Sequence, residues 1–173
     1  MQKVHLSLLL VLLTAGSLIS ACAAPKVSET VKPCEVSLYE IRPIAMDEKA
    51  AAFQVTFLIR NPNQSMATLT ELDYDLKNEN DLVGTGGTNT EVYVPGRTKV
   101  KTAIAIGITN YNVVSRFMLQ QTLPPAEAQT RAEALFARFK DEDGTWNLKG
   151  EAYFRSGSGP TVSIPFEGQY SVK

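Results

Sequence analysis

The chain contains 173 residues, of which 44% are hydrophobic, 8% aromatic and 20% charged, a composition typical of a globular protein and not of a disordered or collagen-like chain. Its 17 Lys and Arg residues and 18 Asp and Glu residues give a formal net charge of -1, so no overall positive field exists to attract nucleic acid. The single histidine, His5, lies in a segment that we expect to be removed, which excludes imidazole catalysis and histidine metal sites from the mature protein.

Residues 1–21 have the pattern of an export signal. Lys3 is the only formally charged residue, an apolar run follows at residues 8–13, and the small residues Ser20 and Ala21 end the segment. A membrane-spanning helix needs about 20 mostly apolar residues, and this run is shorter and interrupted. The pattern therefore favours a cleaved signal peptide over a permanent anchor helix.

Residues 18–22, Leu-Ile-Ser-Ala-Cys, resemble a bacterial lipobox, in which the cysteine receives a diacylglyceryl group and becomes the N-terminus. The resemblance predicts lipid on Cys22, a tether over residues 22–33 and a folded domain over residues 34–173. A plain secretory signal with a coincidental cysteine is the alternative.

Acyl chains on Cys22 would hold the protein to a membrane surface without a spanning segment. The next residue is Ala23, whereas an Asp at that position is the familiar signal for inner-membrane retention in lipoproteins. We therefore expect a bacterial cell-envelope protein anchored in the outer membrane and facing the periplasm.

Cys34 is then the only cysteine not used for lipidation, so no intrachain disulfide is possible. An unpaired thiol in an oxidising compartment is either buried or joined to another chain. We favour burial, because a free cysteine behaves as a small hydrophobic residue.

Two segments alternate apolar and polar residues with the period of two that buries one face of an antiparallel sheet. The inward residues are predicted to be Phe53, Val55, Phe57 and Ile59 in the first segment and Leu72, Tyr74 and Leu76 in the second. Two short strands, at residues 82–83 and 91–94, flank residues 84–87, whose glycines predict a turn.

The longest predicted strand covers residues 100–108, with branched residues on one face and small residues on the other. The face with the small residues leaves room for a helix to pack over it. Residues 111–121 supply a candidate helix that places Val113, Val114, Phe117, Met118 and Gln121 on one side at helical spacing, and Pro124-Pro125 ends it. Residues 126–139 favour a second helix, although a strand over residues 134–140 remains an alternative.

After a turn at Asp143-Gly144, apolar residues alternate again from Trp146 to Phe154, with a bulge predicted at Gly150. A last strand follows after residues 156–160. Seven or eight short strands with one or two short helices predict a mainly β protein, an antiparallel β-sandwich of the immunoglobulin kind.

The segment at residues 53–97 resembles the water stress and hypersensitive response (WHy) domain of late-embryogenesis-abundant (LEA) type 2 proteins. The residues that carry the resemblance are Asn61-Pro62-Asn63, Leu72-Asp73-Tyr74-Asp75-Leu76, Gly84 and Val94-Pro95-Gly96. The likeness extends over most of residues 34–173, but residues 122–145 are longer and richer in Ala and Glu than the family's connection. The resemblance implies a fibronectin-III-like β-sandwich and a role in protection against desiccation.

The motif Asn61-Pro62-Asn63 also has a direct physical interpretation. Proline disfavours helical backbone at the preceding residue, and asparagine side chains bond to nearby backbone groups, so the motif predicts a structural corner. A ligand site is the less favoured alternative, because amides lack the acid-base range for catalysis.

Other candidate sites are weaker. The glycines of residues 83–88 are not followed by the Lys-Ser/Thr of a phosphate-binding loop, which favours a hairpin connection. The acidic residues 141–143 lack the rest of a calcium-binding loop, which favours a solvated turn. Trp146 with Tyr153 could form a sugar platform, but the alternation favours a core position for Trp146. The carboxylates of Glu71, Asp73 and Asp75 are expected on a solvated face and not as a glycosidase pair.

We therefore expect no catalytic residues, no metal and no cofactor. The leading hypothesis is a non-enzymatic, lipid-anchored stress-protective protein that shields membranes or client proteins during water loss. The alternative is an adapter that assembles an envelope complex through a sheet edge or residues 126–139. A small-molecule or glycan binder ranks last.

Overall fold

The computed structural model describes residues 31–141 and 144–171. The elements follow in the order β1 (Glu35–Met46), β2 (Ala50–Arg60), β3 (Ala67–Asn78), β4 (Asp81–Thr88), β5 (Val92–Val94), β6 (Lys99–Thr109), α1 (Asn110–Gln120), α2 (Pro125–Lys140), β7 (Thr145–Arg155) and β8 (Thr161–Ser171). The predictions for residues 1–30, including the signal peptide, Cys22 and most of the tether, lie outside this part of the chain.

The strands form two antiparallel sheets, which confirms the predicted mainly β sandwich. The first sheet has the order β1-β2-β6, and the second has the order β4-β3-β7-β8, with β5 paired to the start of β3. β2 is the central strand of the first sheet and β3 is an inner strand of the second, and both have the alternating burial that the sequence predicts.

The core lies between the two sheets and includes the inward residues that the alternation predicted in β2 and β3. Val55, Phe57 and Ile59 of β2 are fully buried, and Leu72 and Leu76 of β3 face them from the second sheet. The Phe57 ring lies 5.3 Å from the Tyr74 ring and 5.6 Å from the Phe166 ring. Burying such side chains contributes about 1.5–3 kcal/mol each relative to leaving them exposed.

The two ends of the sandwich are built differently, and we call them the helix end and the corner end. The helix end contains the β1–β2 turn, the β3–β4 turn and both helices, and there Phe53 contacts Trp146 with ring centroids 4.8 Å apart. The corner end contains residues 61–66, 95–98 and 156–160, together with the start of β1.

Helix α1 begins after Thr109, whose side chain accepts a hydrogen bond from the Asn112 backbone N–H and so satisfies one free donor of the first turn. It confirms the predicted helix at residues 111–121 to within a residue. Its buried residues are Val113 and Phe117.

Helix α2 covers the uncertain segment at residues 126–139, so the strand alternative for residues 134–140 is wrong. Its first residue is a proline, which suits the first helical turn because no N–H is needed there. The helix closes the core at the helix end, where the Phe139 ring stacks on Trp146 at 5.2 Å and 21°. Its buried residues are Ala128, Ala132, Leu135, Phe136 and Phe139.

The glycines of residues 84–87 lie inside strand β4, so the turn predicted there is wrong. A Cβ atom at Gly86 would lie 2.4 Å from the Tyr74 hydroxyl oxygen, and one at Gly84 would lie 2.9 Å from Ile106 Cδ1. The glycines therefore make room for side chains of other strands instead of turning the chain.

Gly150 lies in the middle of β7 and pairs in register with both Tyr74 and Phe166, so the bulge predicted there is also wrong. A Cβ atom at this position would lie 2.0 Å from the Asp73 carbonyl oxygen. The glycine is needed for close approach of β3 and β7.

The small residues of β6, namely Ala103, Ala105 and Gly107, are exposed. The expectation that a helix covers this face is therefore wrong, because α1 directs Val113 and Phe117 into the core instead. Cys34, by contrast, is buried as predicted. Burial and, to a smaller extent, the neighbouring Glu35 carboxylate raise the pKa of the Cys34 thiol.

Candidate interaction surface

The Asn61-Pro62-Asn63 motif ties the two sheets together at the corner end. The Asn61 side chain is fully buried, and its Nδ2 donates to the carbonyl oxygens of Ser65, at 2.9 Å, and Val94, at 3.0 Å. Its Oδ1 accepts from the Asn63 backbone N–H at 3.0 Å. These partners are all backbone groups of the domain itself.

Asn63 holds the chain that leads into β1. The Lys32 backbone N–H donates to Asn63 Oδ1 at 2.8 Å, and Asn63 Nδ2 donates to the Lys32 carbonyl oxygen at 2.8 Å. Gly96 packs against this loop so closely that a Cβ atom would lie 1.8 Å from the Gln64 carbonyl oxygen. The amides of Asn61 and Asn63 therefore bond to backbone groups at the corner.

An ion cluster around a buried aspartate fixes α2 to the second sheet at the helix end. The Asp81 side chain is only 7% exposed, and each of its carboxylate oxygens accepts from one arginine of α2, Arg131 or Arg138. No local sequence pattern reveals this cluster, because its members are 50 and 57 residues apart. Paired in this way, the carboxylate is a structural attachment for the helix.

The outer surface of α1 carries exposed apolar side chains. Tyr111 is 79% exposed, Leu119 81% and Met118 39%. Residues seven and eight positions apart lie on one side of a helix, so these three side chains share one strip. We call this strip the apolar face of α1.

An open depression of about 600 Å³ lies beside the start of α1. Tyr111 belongs both to this depression and to the apolar face of α1, so the two surfaces are continuous. Two carboxylates, Glu48 and Glu133, line it against a single ammonium group, Lys49. An aromatic ring next to carboxylates suits an apolar segment that carries a positive charge. The remaining lining residues are Ala50, Thr109, Asn110, Val114 and Gln129.

The outer face of the second sheet is polar by comparison. A depression of about 490 Å³ on this face is lined by charged side chains of neighbouring strands. Lys149 of β7 lies directly opposite Asp75 of β3 on one side and Glu167 of β8 on the other. Opposite charges at neighbouring strand positions stabilise the sheet and keep this face hydrated.

The carboxylates of this face lack the environment of an acid catalyst. Glu71, Asp73 and Asp75 are exposed, as the alternation predicted. Hydrogen bonds from Ser163 and, to a smaller extent, Tyr153 hold the pKa of Glu151 below its ordinary value. A general acid needs a raised carboxyl pKa, so these bonds act in the opposite direction.

The two aromatic residues considered as a sugar platform lie on opposite sides of the second sheet. Trp146 is buried in the core, whereas the Tyr153 hydroxyl donates to the exposed Glu151 carboxylate at 2.9 Å. They do not form a common surface.

Among residues 31–141 and 144–171, no group of three or more His, Cys, Asp or Glu side chains is placed to hold a metal ion. In the same part of the chain, no helix combines the length and the apolar character needed to cross a membrane. Glu142 and Asp143 of the acidic turn lie outside it.

No family model matches the chain. No curated protein matches it either. The chain is distantly similar to several solved structures: one assigned as ApaA from Bordetella pertussis is 10% identical, with a TM-score of 0.47, covering 82% of this chain and 97% of the other. A protein from Archaeoglobus fulgidus is 11% identical, with a TM-score of 0.44 and coverage of 79% and 98%.

A solution structure assigned as an LEA protein is 11% identical, with a TM-score of 0.31, and covers 97% of this chain and 85% of its own. At such distances the fold rests on the strands and sheets described above, and membership of the LEA type 2 family stays a prediction.

Proposed function

We propose that this protein is a non-enzymatic, lipid-anchored protein of the bacterial envelope that protects neighbouring proteins or membranes during water loss. In this proposal Cys22 carries the lipid, the outer membrane is the anchoring surface, and the folded domain faces the periplasm. The resemblance of residues 53–97 to the WHy domain supports the stress-protective part of the proposal.

The observation that carries the proposal is the apolar face of α1 beside an acidic depression. Proteins that lose water expose apolar segments, and aggregation follows when such segments meet. An exposed strip formed by Tyr111, Met118 and Leu119 offers these segments an alternative partner. The charged outer face of the second sheet would keep the resulting complex hydrated.

The apolar residues of α2 are not available for this role, because they close the core. The adapter hypothesis named residues 126–139 as a docking surface, and only the polar side of that helix is accessible. Of the two helices, α1 is therefore the one that offers large exposed apolar side chains to a client or partner.

The test is to dry and rehydrate a fragile enzyme with the chain from residue 23 onward and with an equal mass of albumin. We expect more recovered enzyme activity than albumin gives, and we expect a Met118→Ser/Leu119→Ser variant to lose that excess. Val162→Ser is the matched control, because Val162 is 54% exposed on β8, away from α1. Recovery equal to albumin would overturn the proposal.

An adapter lipoprotein that positions one envelope partner is the second candidate, and the same apolar face of α1 favours it. A single partner crosslinked through α1, together with no protection of unrelated enzymes, would select this function. Variants of Met118 and Leu119 would then abolish the crosslink.

A further inference from the structure

The two ends of the sandwich carry charge of opposite sign. The corner end has more basic than acidic side chains, and the helix end has more acidic than basic ones. At the corner end the basic residues are Lys32, Arg60, Arg97, Lys99 and Arg155, and the acidic residues are Glu35 and Glu91. At the helix end the acidic residues are Asp47, Glu48, Glu79, Asp81, Glu127, Glu133 and Asp141, and the basic residues are Lys49, Lys77, Arg116, Arg131, Arg138 and Lys140.

Both carboxylates of the corner end are already paired. Glu35 bonds to Arg60 at 3.1 Å, and Glu91 bonds to Arg155 at 2.9 Å. Lys32 and Lys99 are exposed and add positive charge to this end.

Two large apolar side chains are also exposed at the corner end, and the hydroxyl of one of them, Tyr93, donates to the Glu91 carboxylate that pairs with Arg155. Tyr93 is 58% exposed and Met66 is 51% exposed. In the pairing of β3 with β5, Tyr93 lies opposite Thr68 and Val94 lies opposite Ala67. Met66 directly precedes Ala67, so it lies close to Tyr93 along the same edge. Tyrosine with lysine or arginine nearby is the combination found where proteins meet the headgroup layer of a membrane.

The chain that precedes the domain also enters at the corner end, because the Lys32 backbone pairs with the Asn63 side chain. A lipid on Cys22 would be separated from Lys32 by ten peptide units, which reach at most about 35 Å when fully extended. The corner end would then be the part of the domain nearest the bilayer.

We infer that the corner end binds an anionic lipid surface, with Lys32 and Lys99 near the lipid phosphates and Tyr93 and Met66 at the headgroup level. The inference rests on the anchoring part of the proposed function but not on client protection. Basic side chains near an anionic bilayer each strengthen binding by roughly fivefold, and salt weakens this attraction.

The test is co-sedimentation of the chain from residue 23 onward, which retains every described core residue, with lipid vesicles. We expect binding to vesicles of phosphatidylcholine mixed with phosphatidylglycerol, little binding to phosphatidylcholine alone, and weaker binding as salt rises. A Lys32→Glu/Lys99→Glu variant should bind at least tenfold more weakly. Tyr93→Ser should weaken the binding that persists in high salt.

The matched control is Lys77→Glu/Lys140→Glu, which makes the same change of net charge with two exposed lysines at the helix end. Thermal unfolding of each variant, followed by circular dichroism, verifies that it is folded. Absent binding, equal binding to both kinds of vesicle, or an equal loss in the control variant would overturn the inference.

The two proposals fail separately. A protein that protects a dried enzyme but ignores anionic vesicles would overturn only the lipid contact. A protein that binds vesicles but protects no better than albumin would overturn only the stress function.

Discussion

Asn61 donates a hydrogen bond from its buried side-chain amide to the backbone carbonyl oxygen of Val94, 3.0 Å away, and so joins the first sheet to the second. The same amide nitrogen reaches Ser65, and the amide oxygen accepts from Asn63. One side chain thus satisfies several backbone groups at the place where the chain passes from one sheet to the other.

Replacing Asn61 with alanine should lower the free energy of unfolding by about 2–4 kcal/mol, because it leaves buried backbone groups without partners. Urea unfolding followed by circular dichroism measures the change. Asn112→Ala, an exposed amide on α1, is the control and should change stability by less than about 0.5 kcal/mol. Equal effects of the two substitutions would show that the corner bonds contribute little.

Asp81→Ala should destabilise the protein by about 1.5–3 kcal/mol, because it removes the charge-assisted hydrogen bonds of two arginines that remain partly exposed. The exposed Glu35–Arg60 pair provides the comparison, and Glu35→Ala should cost at most about 1 kcal/mol. A double-mutant cycle between Asp81 and Arg131 isolates their coupling. A coupling near zero would contradict the role of this cluster as the attachment of α2.

Tyr74→Phe should leave stability unchanged or raise it by about 1 kcal/mol at neutral pH. The Tyr74 hydroxyl is buried and has no hydrogen-bond partner among the described residues, so the substitution removes a desolvated polar group. Urea unfolding at neutral pH measures the change. A clear loss of stability would show that the hydroxyl makes a stabilising interaction.

Tyr74 should also make the fold sensitive to alkali. Burial raises the pKa of the Tyr74 phenol above its ordinary value, so ionisation is easier in the unfolded chain than in the fold. The stability linked to this group is therefore complete below about pH 10, the usual tyrosine pKa, and declines as the pH rises above it. In denaturant titrations at alkaline pH, Tyr74→Phe should show a shallower decline than the wild type, and identical slopes would refute the linkage.

Gly150→Ala and Gly107→Ala form a matched pair of strand glycines. The Gly150 substitution places a Cβ atom 2.0 Å from the Asp73 carbonyl oxygen, so we expect a loss of more than about 2 kcal/mol. The Gly107 substitution meets nothing within 4 Å and should be neutral or slightly stabilising. Thermal unfolding compares the melting temperatures of the two variants, and similar values would contradict the close packing around Gly150.

Cys34 should react slowly with a thiol reagent in the native protein and rapidly in denaturant. Burial limits access, and the raised pKa of the thiol lowers the fraction of reactive thiolate. In the chain from residue 23 onward Cys34 is the only thiol, so an absorbance assay reads it directly. Equal rates in buffer and denaturant would contradict its burial.

The parts of the fold that could be predicted are those with a local signal. Alternation in β2 and β3 depends only on neighbouring residues, and it identified the buried faces that contain Phe57 and Leu72. The glycines of β4 misled the prediction, because a glycine that turns the chain and one that admits a distant side chain look the same. Only the fold shows that Gly86 faces Tyr74 and that Gly84 faces Ile106.

The candidate surface was less accessible to prediction. Helical spacing located α1, but it grouped Met118 with Phe117 on one buried side, whereas Met118 is exposed and Phe117 is in the core. The direction that a helix faces depends on how it packs, and the Phe117 ring of α1 packs against Arg131 of α2, whose guanidinium carbon lies 5.2 Å from the ring centroid. Recognition of Cys22 depended on a local motif and stays a prediction.

The pairing of Lys32 with Asn63 has a mechanical consequence. Tension on the preceding chain would reach the folded domain at these two hydrogen bonds, next to the end of β2 and the first residues of β1. Because a pull away from the corner end runs along the axis of β1, the hydrogen bonds between β1 and β2 would share the load in shear instead of opening one after another. If the preceding chain is the predicted lipid tether, a pull on it would meet this resistance before the domain unfolds.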